Sequence, residues 1–119
     1  MKGFGEKNHI KNETLSKSKQ KLNIEQFIQK AFQLQAKGKK IEAAQYYSYL
    51  IKQGVKDFRI FSNFGIFLKE IGKHKEAELE LRKAIALNPN YANAYYNLGV
   101  LYIDQGNFKE AEKELKKAI

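Results

Sequence analysis

The sequence predicts an all-α chain of three helix pairs, stacked in register behind a basic N-terminal tail. Three observations predict it. First, residue types recur at a fixed step of 34: Gly38, Gly72 and Gly106, then Glu42, Glu76 and Glu110, then Ala43, Ala77 and Ala111. A step of this size without insertions marks a stacked repeat architecture. Second, apolar residues within each copy follow three- and four-residue spacings, which line one face of a helix. Third, the 119 residues include one proline and few β-branched runs, so nothing favours strands.

Residues 1–23 come first. Their apolar residues are sparse (Phe4, Ile10, Leu15 and Leu22) among Lys, Asn, Ser, Glu and Gly. Such a segment buries too little surface to offset its ordering entropy. A mobile tail is expected, with a helical turn near Thr14–Lys21. It has no continuous apolar stretch of the kind a secretory signal needs, and the expected compartment is the cytoplasm.

The first copy, 24–57, places Phe27, Ala31 and Leu34 on one helix and Ala43, Tyr47, Leu50 and Ile51 on the next, with Gly38 between. The second, 58–91, repeats this with Phe61, Phe64, Gly65 and Leu68, then Gly72, then Ala77, Leu81, Ala84 and Ile85. The third, 92–119, has Tyr95, Leu98, Gly99, Tyr102 and Ile103, a Gly106-Asn107 break, then Phe108, Ala111, Leu115 and Ala118. Helices are predicted over 24–36, 41–53, 58–71, 75–88, 92–105 and 108–119. Asn23 and Asp57 are candidate caps, whose side-chain oxygens can accept from free N–H groups at a helix start. Asn88-Pro89 ends the fourth helix, because the residue before proline avoids the helical region. Gly65 and Gly99 fall mid-helix, at a cost of about 1 kcal/mol relative to alanine. Close approach of the paired helix would offset that cost, with Ala77 and Ala111 as the facing small residues.

The pattern resembles the tetratricopeptide repeat (TPR) family over residues 24–119. The third copy carries the resemblance best, through Tyr95, Leu98-Gly99, Tyr102, Gly106, Phe108, Ala111, Leu115 and Ala118. The first diverges, with Lys30-Ala31 in the Leu-Gly place and Lys40 in an aromatic place. His74 takes the same aromatic place in the second copy, where it reads as a packing substitute. The resemblance implies three antiparallel helix pairs stacked into a right-handed α-α superhelix, whose concave groove is lined by the first helix of each pair. It implies that peptides or extended segments lie in that groove.

Carried over by register, the resemblance puts Glu25, Arg59 and Asn93 in one row of the groove, and Gln29, Asn63 and Asn97 in the next. Phe32, Ile66 and Val100 form an apolar row, followed by Gln35, Lys69 and Ile103. A carboxamide donates and accepts together, so it can hold a ligand main chain whatever its side chains. One subclass of the family grips a C-terminal carboxylate with Lys and Arg among the groove asparagines. Of the matching places here, Ile28, Phe32, Asn63, Asn93 and Asn97, only Asn63 fits it.

Charge and composition narrow the function classes. The net charge of +9 is graded: +4 in 1–23, +3 in 24–57, +2 in 58–91 and zero in 92–119. That excess permits an acidic partner, yet only Arg59 and Arg82 are arginines, the residue favoured for phosphate and base recognition. Nucleic acid is therefore not the expected partner. A salt-sensitive RNA or anionic surface contact through the tail is a third-ranked alternative. Without cysteine, and with only His9 and His74, thiol catalysis and thiolate or histidine-rich metal sites are excluded. No cofactor is expected. Acid pairs such as Glu76/Glu80 and Glu110/Glu114 alternate with lysines and read as solvated faces with ion-pair spacing, Glu110–Lys113 and Glu112–Lys116 among them.

No polar capping helix follows the third pair, and solenoids generally need one. Tyr102, Leu115 and Ile119 are therefore expected to form an exposed edge, open to self-association or a partner. The resulting expectation is a non-enzymatic protein-interaction scaffold that binds a protein or peptide segment. The alternative is the N-terminal substrate-recruiting part of a larger bacterial transferase (glycosyl-, sulfo- or methyl-), since such repeats often precede catalytic domains in the family.

Overall fold

The computed structural model describes residues 20–119; the expectations for the tail before Gln20 lie outside the described residues. Six helices follow one another: α1 (Gln20–Ala36), α2 (Lys40–Lys52), α3 (Phe58–Glu70), α4 (His74–Leu87), α5 (Ala92–Asp104) and α6 (Phe108–Ala118). No strand occurs among the described residues. The chain divides into two compact units, the first ending at Val55 and the second running from Lys56 to Ile119.

The helix ends follow from local chemistry. Gly38, Gly72 and Gly106 have φ of +80°, +84° and +77°, the left-handed region that glycine enters without a Cβ clash. Each closes its helix with the same pair of bonds. At Gly72, for example, its N–H donates to Lys69 O and Lys73 N–H donates to Leu68 O, at 3.0 and 2.9 Å. This double closure satisfies carbonyls that the helix end leaves open. Gly54, φ +86°, closes α2 in the same way, a stop not foreseen from the repeat. Asp57 caps α3 as expected, its Oδ1 accepting from Arg59 N–H at 2.9 Å. Asn23 does not cap α1, because that helix starts three residues earlier and Asn23 lies within its first turns. α4 ends at Leu87 beside Asn88-Pro89.

In the first unit α1 packs on α2. Ala31, Ala43, Tyr47 and Leu50 have no exposed surface. The Phe27 ring meets Tyr49 edge-on at 6.0 Å and Tyr46 at 6.1 Å.

The second unit stacks two pairs, α3 on α4 and α5 on α6, and α5 packs in turn against α4 and α3. Its core joins Leu68, Ala77, Leu81, Leu98, Leu101, Tyr102 and Ala111. Each fully buried leucine there contributes roughly 1.5–3 kcal/mol. The mid-helix glycines behave as the repeat suggests. A Cβ on Gly65 would lie 2.9 Å from Leu81 Cγ and 3.2 Å from the Ala77 carbonyl. A Cβ on Gly99 would lie 2.6 Å from Leu115 Cγ. Another contact recurs with the repeat: Lys83 sits over the Phe61 ring at 5.7 Å and Lys117 over the Tyr95 ring at 5.8 Å. The matching places in the first unit hold the Phe27–Tyr49 pair, so an aromatic edge there replaces a cation. Phe108, expected on the packed face, is instead 67% exposed.

Candidate functional site

The groove residues expected from the sequence fall on three helices. Gln29 and Phe32 lie on α1 in the first unit: Gln29 is exposed, and Phe32 leans on Tyr47 at 6.2 Å. Gln35, in the last expected row, accepts from Tyr47 Oη at 3.0 Å and so fastens α1 to α2. The remaining candidates belong to the second unit. Arg59, Asn63, Ile66 and Lys69 lie along α3, and Asn93, Asn97 and Val100 along α5, two helices in direct contact.

Several of these side chains are held before any ligand arrives. The Arg59 guanidinium donates to both carboxylate oxygens of Asp57, Nε at 3.1 Å and Nη2 at 2.6 Å. This bond to Arg59 holds the Asp57 carboxyl below its ordinary range, despite partial burial acting the other way. Asn97 is buried, and its Nδ2 donates to the Asn93 backbone carbonyl at 2.8 Å and to Asn93 Oδ1 at 2.6 Å. Asn93 is exposed and itself donates to Tyr91 Oη at 3.5 Å. Asn63, Ile66, Lys69 and Val100 are half-buried. The result is a row of amide and guanidinium groups flanked by aliphatic side chains, with the Asn93 and Asn97 amides already oriented. Such a row can donate to and accept from a main chain. Arg59, neutralised by Asp57, offers an exposed cation less than its type suggests.

A second polar cluster went unread in the sequence. Tyr102, expected at an exposed edge, is only 6% exposed, because its hydroxyl is drawn into the α4/α5 contact. There it donates to Glu78 and accepts from Arg82 Nη2 at 3.0 Å. The same Arg82 nitrogen donates to Glu114 Oε2 at 3.3 Å, tying α4 to α6. Glu114 is 2% exposed and Glu80 is buried as well, which corrects the expectation that these acids lie on solvated faces. Packing of the neighbouring helix covers them, and Arg82, Lys83 and Lys117 supply the opposing charge. Burial, then the bond to Glu78, raises the Tyr102 phenol above its ordinary value. Burial opposes the Arg82 charge, but Tyr102 and Glu114 outweigh it and hold the guanidinium protonated. The ion pairs at Glu110–Lys113, 3.6 Å, and Glu112–Lys116, 3.5 Å, form as their spacing implies.

The network joins three helices through Tyr102, Glu78, Arg82 and Glu114, and so fastens them to one another. Among the described residues no three His, Asp or Glu side chains gather as a metal site would need. Among them, too, no helix is long and apolar enough to cross a membrane.

Comparison with known proteins places this architecture. Residues 70–119 match the family model described as tetratricopeptide repeat. Among curated proteins none matches the sequence. The crystal structure of MamA superposes with a TM-score of 0.77 at 23% identity, covering 98% of this chain and 67% of that one. YrrB, described as a TPR protein with an unusual peptide-binding site, gives 0.72 at 26% identity, over 81% of this chain and 50% of that one. The TPR2B domain of yeast Sti1, in a complex with pHsp70, gives 0.71 at 25% identity, over 80% and 76%.

Proposed function

We propose that this chain, a member of the tetratricopeptide-repeat family, is a protein-interaction scaffold that takes an extended peptide on the face shared by α3 and α5. The similar structures support the scaffold: YrrB is described by its peptide-binding site, and the Sti1 domain is in a complex with pHsp70. The finer reading rests on one observation. Two adjacent helices carry Asn63, Asn93 and Asn97 beside Ile66 and Val100, with the Asn97 amide held in one orientation by Asn93. Fixed carboxamides cost a ligand little ordering entropy and read its main chain. The half-buried aliphatic groups would take its side chains. Lys69 would bias the choice mildly toward acidic segments, while Arg59 is already balanced by Asp57.

The test is a peptide-array screen of the wild type beside an Asn63→Ala/Asn97→Ala double variant, with helicity checked by circular dichroism. Selection by the wild type and its loss in the folded variant supports the reading. Equal binding by both, or by neither, refutes it.

A further inference from the structure

The chain has two arginines, Arg59 and Arg82, and each is held by a carboxylate of its own. Arginine is the side chain best shaped to grip a ligand carboxylate, through two parallel N–H bonds. Arg82 directs its Nη2 to Tyr102 and Glu114. Arg59 stands at the start of α3, in the first row of the proposed binding face. There it donates to both oxygens of Asp57, Nε to Oδ1 at 3.1 Å and Nη2 to Oδ2 at 2.6 Å. The pair lines a recess of about 480 Å³ with Lys56, Phe58 and Leu87, so a ligand group can come up beside it. The repeat shows the same device once more. Thirty-four residues on, Tyr91 Oη accepts from Asn93 Nδ2 at 3.5 Å. In both copies the residue just before the helix holds the first-row side chain two places later. In the α3 copy the contact also cancels a charge.

We propose that Asp57 is a specificity-determining residue of this face: by occupying Arg59 it makes the first row select uncharged ligand groups over carboxylates. The inference rests on the peptide-binding reading above and adds which segments the face accepts at that row. The competition favours Asp57 for a physical reason. One residue separates it from Arg59, so its effective concentration at the guanidinium is far above that of a ligand in solution. Its position is also fixed, because the same Oδ1 accepts from Arg59 N–H and caps α3. A ligand carboxylate must therefore break a bidentate bond and loosen a helix cap to take Arg59. An uncharged group seated beside the pair breaks neither. Lys56 and Lys69 give the face a mild acidic preference that does not depend on Asp57.

The test is an array in which every peptide is spotted with Glu and with Gln at each position. It is probed with the full chain and with its Asp57→Asn variant. Asparagine caps a helix as well as aspartate does, so α3 is kept, and circular dichroism checks it. Asp57→Ser supplies a second uncharged cap. The wild type should favour Glu over Gln by about twofold at most. Both variants should favour Glu by a further factor of about three to five, the strength of a good exposed ion pair. Adding Arg59→Gln to Asp57→Asn should abolish that gain. Variants no more selective for Glu than the wild type overturn the proposal, and so does a gain that survives Arg59→Gln. No binding by any of these proteins overturns it together with the peptide-binding reading. A gain that appears in the variants, while Asn63→Ala/Asn97→Ala binds peptides as the wild type does, supports the role of Asp57 and refutes the amide contacts.

Discussion

Replacing Gly99 by alanine tests the packing of the repeat directly. By propensity alone the change stabilises α5 by about 1 kcal/mol. The structure opposes it. The new methyl carbon would stand 2.6 Å from both Cγ and Cδ2 of Leu115, and 3.4 Å from the Ala111 carbonyl. Cγ is a branch carbon, not the free end of a flexible chain, so α5 and α6 must separate or Leu115 must leave its rotamer. Overpacking of this kind costs about 1–3 kcal/mol. With so short a contact the cost falls in the upper half of that range, leaving a net loss of about 1 kcal/mol. The sign should invert once the obstacle is removed. In a Leu115→Ala background, itself destabilised by about 2 kcal/mol or more, Gly99→Ala should raise stability by about its propensity gain. The coupling between the two sites is then about 2 kcal/mol, well outside ordinary additivity error. Urea unfolding followed by far-ultraviolet circular dichroism on the four proteins measures it. If Gly99→Ala stabilises equally in both backgrounds, the close approach of α5 and α6 is wrong.

Three further outcomes are expected. Tyr102→Phe should cost about 1 kcal/mol by removing a bridge between Glu78 and Arg82. The raised Tyr102 pKa means that its contribution is complete below the ordinary tyrosine value, about 10, and is lost as pH rises through the folded value; an alkaline urea series should show a smaller loss in the variant. Asp57 behaves oppositely, since its folded pKa is lowered by Arg59. Its contribution is present above the ordinary carboxylate value, about 4, and fades as pH falls through the folded value. Asp57→Ala should therefore cost about 1 kcal/mol at neutral pH and progressively less in acid. On the α3/α5 face, Asn63→Ala/Asn97→Ala should weaken a selected peptide about tenfold or more, measured by fluorescence anisotropy, if each amide supplies about 1 kcal/mol.

Much of the fold was legible because the signals were local and repeated. Gly38, Gly72 and Gly106 sit where a helix must turn, and each closes its turn with bonds reaching back only three and five residues. The Asp57 cap and the Asn88-Pro89 stop act within a few residues as well. Gly65 and Gly99 could be read as points of close approach because a mid-helix glycine needs a compensating contact. Asn23 misled, because a cap-type residue also tolerates a helix interior and the helix extends back to Gln20. Glu80 and Glu114 misled for another reason. Their neighbours in sequence are lysines, and that pattern is identical on a solvated helix and on one whose acids face a partner helix. The candidate site was legible only as positions. That Arg59 is paired with Asp57 and that Asn97 is anchored on Asn93 needed coordinates.

The sequence by itself determined the period of the chain, the number of helix pairs, their breaks and the small residues at their contacts. Each of these is written within one turn of backbone or one 34-residue step. Tertiary structure decided which polar groups were covered and which aromatic was withdrawn from the surface. Tyr102 and Glu114 are twelve residues apart in the chain, yet both are fixed by Arg82 on a helix from the preceding repeat. Burial is a property of the neighbour that arrives, and no residue's own surroundings in sequence name that neighbour.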